Sequence, residues 1–368
     1  MLSRTPVGIF VAIGLMITEG TLANEFPPPK TGAWASLKQS AIRLSEFVTV
    51  DPTTWSNRWN WVKNTARQKA MLHAPHHVRT RFGIEFDQPW QQPTNKKQLV
   101  VLVHGFNSQP RQSETLINTA RENGFFCAVL NYPNDQPIHD SAQLLSKELK
   151  RFSETHPDCR VAIVAYSMGG LVSRAAVEIQ ALDPGNVDRL ILVAPPNHGS
   201  QLASCATGID LFEYLTCWEF RNRPCPWYSA IEDGLAEASR DMMPGSDFLN
   251  QLNHQPRNPH VRYTILLGNL APLDIRHIRR WEASANNHWL CQPWASKCSE
   301  QMIHCLRKYP ELVQGQGDGL VALKSGKLKG VPDTMVLPFD HLSVTSNPTS
   351  KGSQLVRKEI LRRLDKPN

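Results

Sequence analysis

From Leu99 onward the chain alternates short, unbroken apolar runs with amphipathic stretches. LVVLVHG is followed by a helical pattern near Ser113 to Glu122, then FFCAVLNYP, a helix near Ser141 to Glu154, a strand over Val161 to Tyr166, a helix from Met168, and LILVAPP. Runs of Val, Ile and Leu separated by helices predict parallel strands buried on both faces, so the fold class is α/β, a mostly parallel sheet flanked by helices. After Pro195 the rhythm breaks until VRYTILLGN at 261 to 269, and DTMVLPF supplies a last strand. A closing helix near Ser353 to Leu364 places Val356, Ile360 and Leu364 on one face, with Arg357, Lys358, Arg362 and Arg363 as its solvated side. The intervals at about 197–260 and 271–314 are predicted insertions. Upstream, residues 24–98 are rich in Trp and Pro, with helical periodicity around Ala41 to Phe47 and Trp59 to Met71. An alternating run from His77 to Phe86 suits a strand.

The first residues change the picture for location. Arg4 precedes an apolar run from Val7 to Ile17, and Thr21-Leu22-Ala23 sets small residues where a signal peptidase cuts, so residues 1–23 read as a signal peptide removed after Ala23. The run is too short for a spanning helix, and the expected location is secreted or periplasmic. The organisation is then a signal peptide at 1–23, an extension at 24–98, and one domain at 99–368 whose two insertions form a cap.

Composition bears on partners. The 368 residues are 41% hydrophobic, enough for a sizeable core, which rules out disorder. Forty Lys and Arg against thirty-three Asp and Glu give +7, a balance compatible with an anionic lipid surface. The basic residues are scattered without a nucleic-acid motif, so no nucleic-acid partner is expected. Export makes the eight cysteines readable as bridges: Cys127 and Cys159 centrally, Cys205, Cys217 and Cys225 in one insertion, Cys291, Cys298 and Cys305 in the other. Cys298 and Cys305 stand roughly 10 Å apart on a helix and should not pair with each other. A zinc site using His304 is the alternative, although no paired CxxC occurs. Trp218, Trp227, Trp281, Trp289 and Trp294 share the insertions with six of the cysteines, which fits a bridged cap lining an apolar groove. Arg276 to Trp281 mixes cations with apolar groups, as a surface in peripheral contact with lipid would, an ordinary solvated helix being the alternative.

The chemistry centres on Ser167. The strand ending at Tyr166 runs into Ser167-Met168-Gly169-Gly170 and then a helix, a turn that exposes a hydroxyl above the sheet near a helix N-terminus. Alanine at 165 replaces the first glycine of G-x-S-x-G. A serine hydroxyl needs a base, and the order Ser, acid, His that accompanies such a turn directs the search downstream. His341, just after the last strand, is the only histidine beyond Gly317-Asp318-Gly319-Leu320-Val321. Asp318 is the expected acid, Asp274 its alternative, and Asp340 lies too close in sequence to His341. An oxyanion requires fixed N–H donors, assigned to the amides of Met168 and of Phe106, in the turn after His104 and Gly105. His104 and His198 read as structural.

The motifs VLVHGF, AYSMGGLVSR, APPNHGS, MPGSDFLNQLN, GDGLVALKSG and DHLSV, spread over most of residues 99–345, resemble bacterial lipases and esterases of the α/β-hydrolase superfamily, with kinship to GPI inositol-deacylase-like domains. The resemblance implies the triad Ser167, Asp318 and His341 and hydrolysis of lipid or other apolar acyl esters through an acyl-serine intermediate. An acyltransferase with the same triad and a non-catalytic lipid- or partner-binding protein are the alternatives. Calcium-dependent lipases of this kind carry an aspartate two residues after the catalytic histidine. Here that residue is Ser343, so neither a metal nor another cofactor is expected.

Overall fold

The apolar runs form a seven-stranded sheet because strands covered on both faces need apolar side chains at every position. Its strands are β1 (Gly83–Phe86), β2 (Gln98–Val103), β3 (Phe126–Asn131), β4 (Arg160–Tyr166), β5 (Val187–Val193), β6 (Arg262–Gly268) and β7 (Thr334–Leu337), ordered β1-β3-β2-β4-β5-β6-β7. Only β1 runs antiparallel to its neighbour, β3. A computed structural model describes residues 82–87, 98–201 apart from 107, 109 and 135, 237–280 apart from 277 and 278, 283, and 309–365. Residues 1–23, expected to be a signal peptide, the helices expected in the extension, and the cysteines and tryptophans of the expected insertions lie outside the described residues.

Alternation along each strand divides the core in two. Leu99, Val101 and Val103 of β2, with Val161, Ile163 and Ala165 of β4, face one layer, which the helices Ile138–Thr155 and Met168–Glu178 cover. Val100, Leu102, Ala162, Val164 and Tyr166 face the other, beneath the helices Thr115–Glu122 and Lys351–Leu364. The latter docks through Val356, Ile360 and Leu364, as its spacing predicts.

Three expectations are corrected. Arg363 is not on a solvated face: it is 2% exposed and reaches Asp333 (2.5 Å) and Glu359 (2.5 Å), with Nε donating to Thr264 Oγ1 (3.0 Å). Cys127 and Cys159 are free thiols. Strand alternation turns Cys127 into one core layer, whereas Cys159 lies in the other, so the sheet separates them. Burial pushes the Cys127 thiol up to about 12 and that of Cys159 up to about 11, so both stay protonated. The downstream part of the first insertion is no cap: Ala238, Met242, Leu249 and Leu252, on or beside the helices Glu237–Asp241 and Asp247–His254, join the core.

Gly169 shows how tightly the helix after Ser167 sits on the sheet. A Cβ there would lie 2.3 Å from the Val103 carbonyl oxygen and 2.4 Å from that of His104, both backbone atoms. Gly169→Ala is therefore expected to destabilise the fold by about 1–3 kcal/mol or more, read as a lower urea midpoint. Among the described residues no helix is long and apolar enough to cross a membrane.

Candidate active site

At the end of β4 the backbone of Ser167 adopts φ 52 and ψ −125, a conformation that side chains other than glycine rarely hold. The surroundings impose it. Ser167 N donates to Val193 O (2.9 Å), Gly170 N donates to Ser167 O (2.9 Å), and the glycine contact above locks the helix Met168–Glu178 against β2. The serine thus stands at the N-terminus of that helix, where the aligned peptide dipoles favour negative charge.

Two residues distant in sequence meet it there. His341 Nε2 is 3.0 Å from Ser167 Oγ, and His341 Nδ1 is 2.9 Å from Asp318 Oδ2. Asp318 (1% exposed) accepts from the amides of Leu320 (3.0 Å) and Val321 (2.8 Å) at Oδ1, which leaves Oδ2 for the imidazole. With Nδ1–H donated to this carboxylate, Nε2 presents its lone pair to the serine hydroxyl. The backbone is fixed as well: His341 N donates to Asp318 O (2.8 Å), and the Tyr166 hydroxyl donates to His341 O (2.6 Å). Gly268 at the end of β6 makes room, since a Cβ there would come within 2.7 Å of Asp318 Cβ. Sequence reading assigned neither of these two residues a role in the site, Tyr166 standing only as a strand end and Gly268 only within a strand. Alternation does turn Tyr166, like Val164, toward the face of the closing helix, a signal available in the pattern.

The alternative acids are engaged elsewhere. Asp274 binds the amide (2.9 Å) and guanidinium (2.7 Å) of exposed Arg276. Asp340 accepts from Ser343 N (2.9 Å) and Ser343 Oγ, opening the short helix Ser343–Ser346. That pairing engages Ser343, the residue two after His341, with Asp340. Among the described residues no cluster of three His, Cys, Asp or Glu side chains could hold a metal.

Met168 opens its helix, so its amide is one of those without an intrahelical acceptor. Gly105, next to Phe106, lies so near that a Cβ on it would be 3.1 Å from Ser167 Cβ, and the turn carrying Phe106 therefore borders the serine. His104 Nδ1 lies 3.0 Å from Gly105 O, and the ring stacks on Tyr132 at 4.4 Å. Burial pushes His104 down from its ordinary 6.5 to about 4. Between those two values the unfolded chain binds more protons than the fold does. His104 thus contributes stability above about pH 6.5, lost as the pH falls toward about 4, of about 3 kcal/mol. Urea unfolding at pH 7 and pH 4.5 should show this loss, and His104→Gln should reduce the slope.

A family model described as a domain of unknown function (DUF7379) matches residues 70–292, more than half of the chain. The chain belongs to this family. The matched span holds Ser167 but ends before Asp318 and His341. No curated protein matches the sequence. Among solved structures, the mature form of the Bacillus licheniformis lipase BlEst2 is similar at 20% identity and a TM-score of 0.50, over 76% of this chain and 97% of that one. Its propeptide form matches at 19% identity and a TM-score of 0.50, over 77% of this chain and 54% of that one. These likenesses establish the α/β-hydrolase fold; they do not bear on the kinship with GPI inositol-deacylase-like domains.

Proposed function

We propose that this protein is a serine carboxylic ester hydrolase acting on lipid or other apolar acyl esters. The observation that carries the reading is the continuous hydrogen-bond chain from Ser167 Oγ through His341 to Asp318. Ser167 Oγ attacks the ester carbonyl while its proton passes to His341 Nε2. The carbonyl oxygen becomes an oxyanion received by the amides of Met168 and Phe106. Collapse breaks the bond to the alcohol, which leaves with the proton from His341, and acyl-Ser167 remains. Water then gives its proton to His341 and attacks the acyl carbonyl; the acid departs and the proton returns to Ser167. Asp318 holds the ring in its tautomer and stabilises the imidazolium. The BlEst2 neighbours are named lipases, which supports an ester as substrate. Export through residues 1–23 and peripheral contact with a lipid surface belong to the same reading.

The test is hydrolysis of p-nitrophenyl esters of increasing chain length, with and without an alcohol acceptor. Turnover rising with chain length and yielding free acid is expected. Product found only as the new ester would make the protein an acyltransferase, and no turnover or fluorophosphonate labelling at all would overturn the reading.

A further inference from the structure

The turn that follows β5, Ala194–Ser200, touches both halves of the site without offering a reacting group. Ala194 has φ 52, and with Ser167 it is one of two non-glycine residues of positive φ among the described residues. The two are neighbours: Tyr166 pairs with Val193 in adjacent strands, so Ser167 and Ala194 each stand one residue past the last paired position. Ser167 N donates to Val193 O (2.9 Å) and Ala194 N to Leu266 O (2.8 Å), which fixes both bends to the sheet. Backbone strain of this kind persists only where the surroundings enforce it, and it collects at functional sites.

What the second bend achieves is visible in its contacts. Pro195 is carried onto the helix behind Ser167, where a Cβ at Gly170 would lie 3.0 Å from Pro195 Cβ. Buried Asn197 accepts from Arg174 Nη1 of that helix (3.1 Å) and donates to Gly326 O (2.6 Å). Ser325 Oγ donates to Gly199 O, and Ser200 Oγ donates to Leu320 O (2.7 Å). Leu320 is the residue whose amide donates to Asp318 Oδ1. The turn therefore runs from the helix behind the serine to the peptide that holds the acid.

We infer that Ala194–Ser200 is a positioning element setting Asp318, and through it His341, against Ser167, with Ser200 anchoring the Leu320 peptide that cradles the acid. The inference rests on the hydrolase reading above. Ser200→Ala frees the Leu320 carbonyl and lets the cradle drift, whereas Ser200→Thr keeps a hydroxyl. A displacement near 1 Å in such a constellation lowers turnover by up to about a hundredfold.

The experiment measures kcat, KM and the pH profile of kcat/KM on a p-nitrophenyl ester for the wild type and both variants, with urea midpoints to follow the fold. For Ser200→Ala we expect kcat about tenfold lower at a KM within about twofold, and an altered pH profile because Asp318 no longer holds the imidazole in place. Ser200→Thr should restore both. A folded Ser200→Ala with wild-type kcat and pH profile overturns the inference, as does a threonine variant no better than alanine. If Ser200→Ala does not fold, Ala194→Gly takes its place, expected to lower kcat without lowering the urea midpoint; an unchanged kcat overturns the inference. A wild type that neither turns over esters nor reacts with a fluorophosphonate would instead sink the hydrolase reading, so the two failures are distinguishable.

Discussion

Ser167→Ala is expected to lower ester turnover by about a millionfold while the protein stays folded. The oxygen removed is the atom that His341 Nε2 contacts at 3.0 Å and that forms the acyl bond in the proposed mechanism. The methyl that remains fills the same space, and the interactions imposing φ 52 on residue 167 are backbone bonds that the substitution leaves in place. Circular dichroism and the urea midpoint should match wild type, and fluorophosphonate labelling should vanish. A variant keeping more than a tenth of wild-type activity would remove Ser167 from the mechanism.

Asp318→Asn should lower turnover by about 10⁴-fold, for a reason specific to this cradle. The amides of Leu320 and Val321 both donate to Oδ1, so an asparagine must keep its carbonyl oxygen there and turn its NH₂ toward His341 Nδ1. The imidazole then accepts at Nδ1 and carries its proton on Nε2, where it can no longer take one from Ser167. Asp274→Asn, which disturbs the pairing with exposed Arg276, should leave kcat within about twofold of wild type. The opposite ranking, read from kcat of the two purified variants, would transfer the role to Asp274.

How much of this was legible depended on whether a residue's role is set locally. The central strands declared themselves because two-sided burial leaves no polar position between Val161 and Tyr166. Ser167, Asp318 and His341, which the structure brings together, were named from residue type, chain order and, for Ser167 and His341, a place just after a strand. The burial of Arg363 was not legible: on its helix it continues a basic stripe, and the approach of Asp333, from before β7, together with Glu359 and Thr264, makes burial tolerable. Cys127 and Cys159 misled because cysteine count says nothing about which face of a sheet each occupies. The helices Glu237–Asp241 and Asp247–His254 are too short to show periodicity, and their core role depends on the turn they pack beside, where a Cβ at Gly199 would meet Pro244 N at 2.6 Å. Nothing in the sequence marks Ala194 as strained, since alanine is an unremarkable residue at the end of an apolar run.

The hydrogen bonds that Tyr166 and Ser167 make to His341 span 175 and 174 residues. The strand and turn that present the serine are complete long before the histidine has left the ribosome. An emerging chain therefore carries a serine with no base, and loop closure over that span is among the last entropic terms folding must meet. The contact between His341 and Ser167 is thus incomplete until the C-terminal strand and its closing helix have docked. Recovery of activity would correspondingly report the final docking step of refolding, later than any signal from β2, β4 or β5.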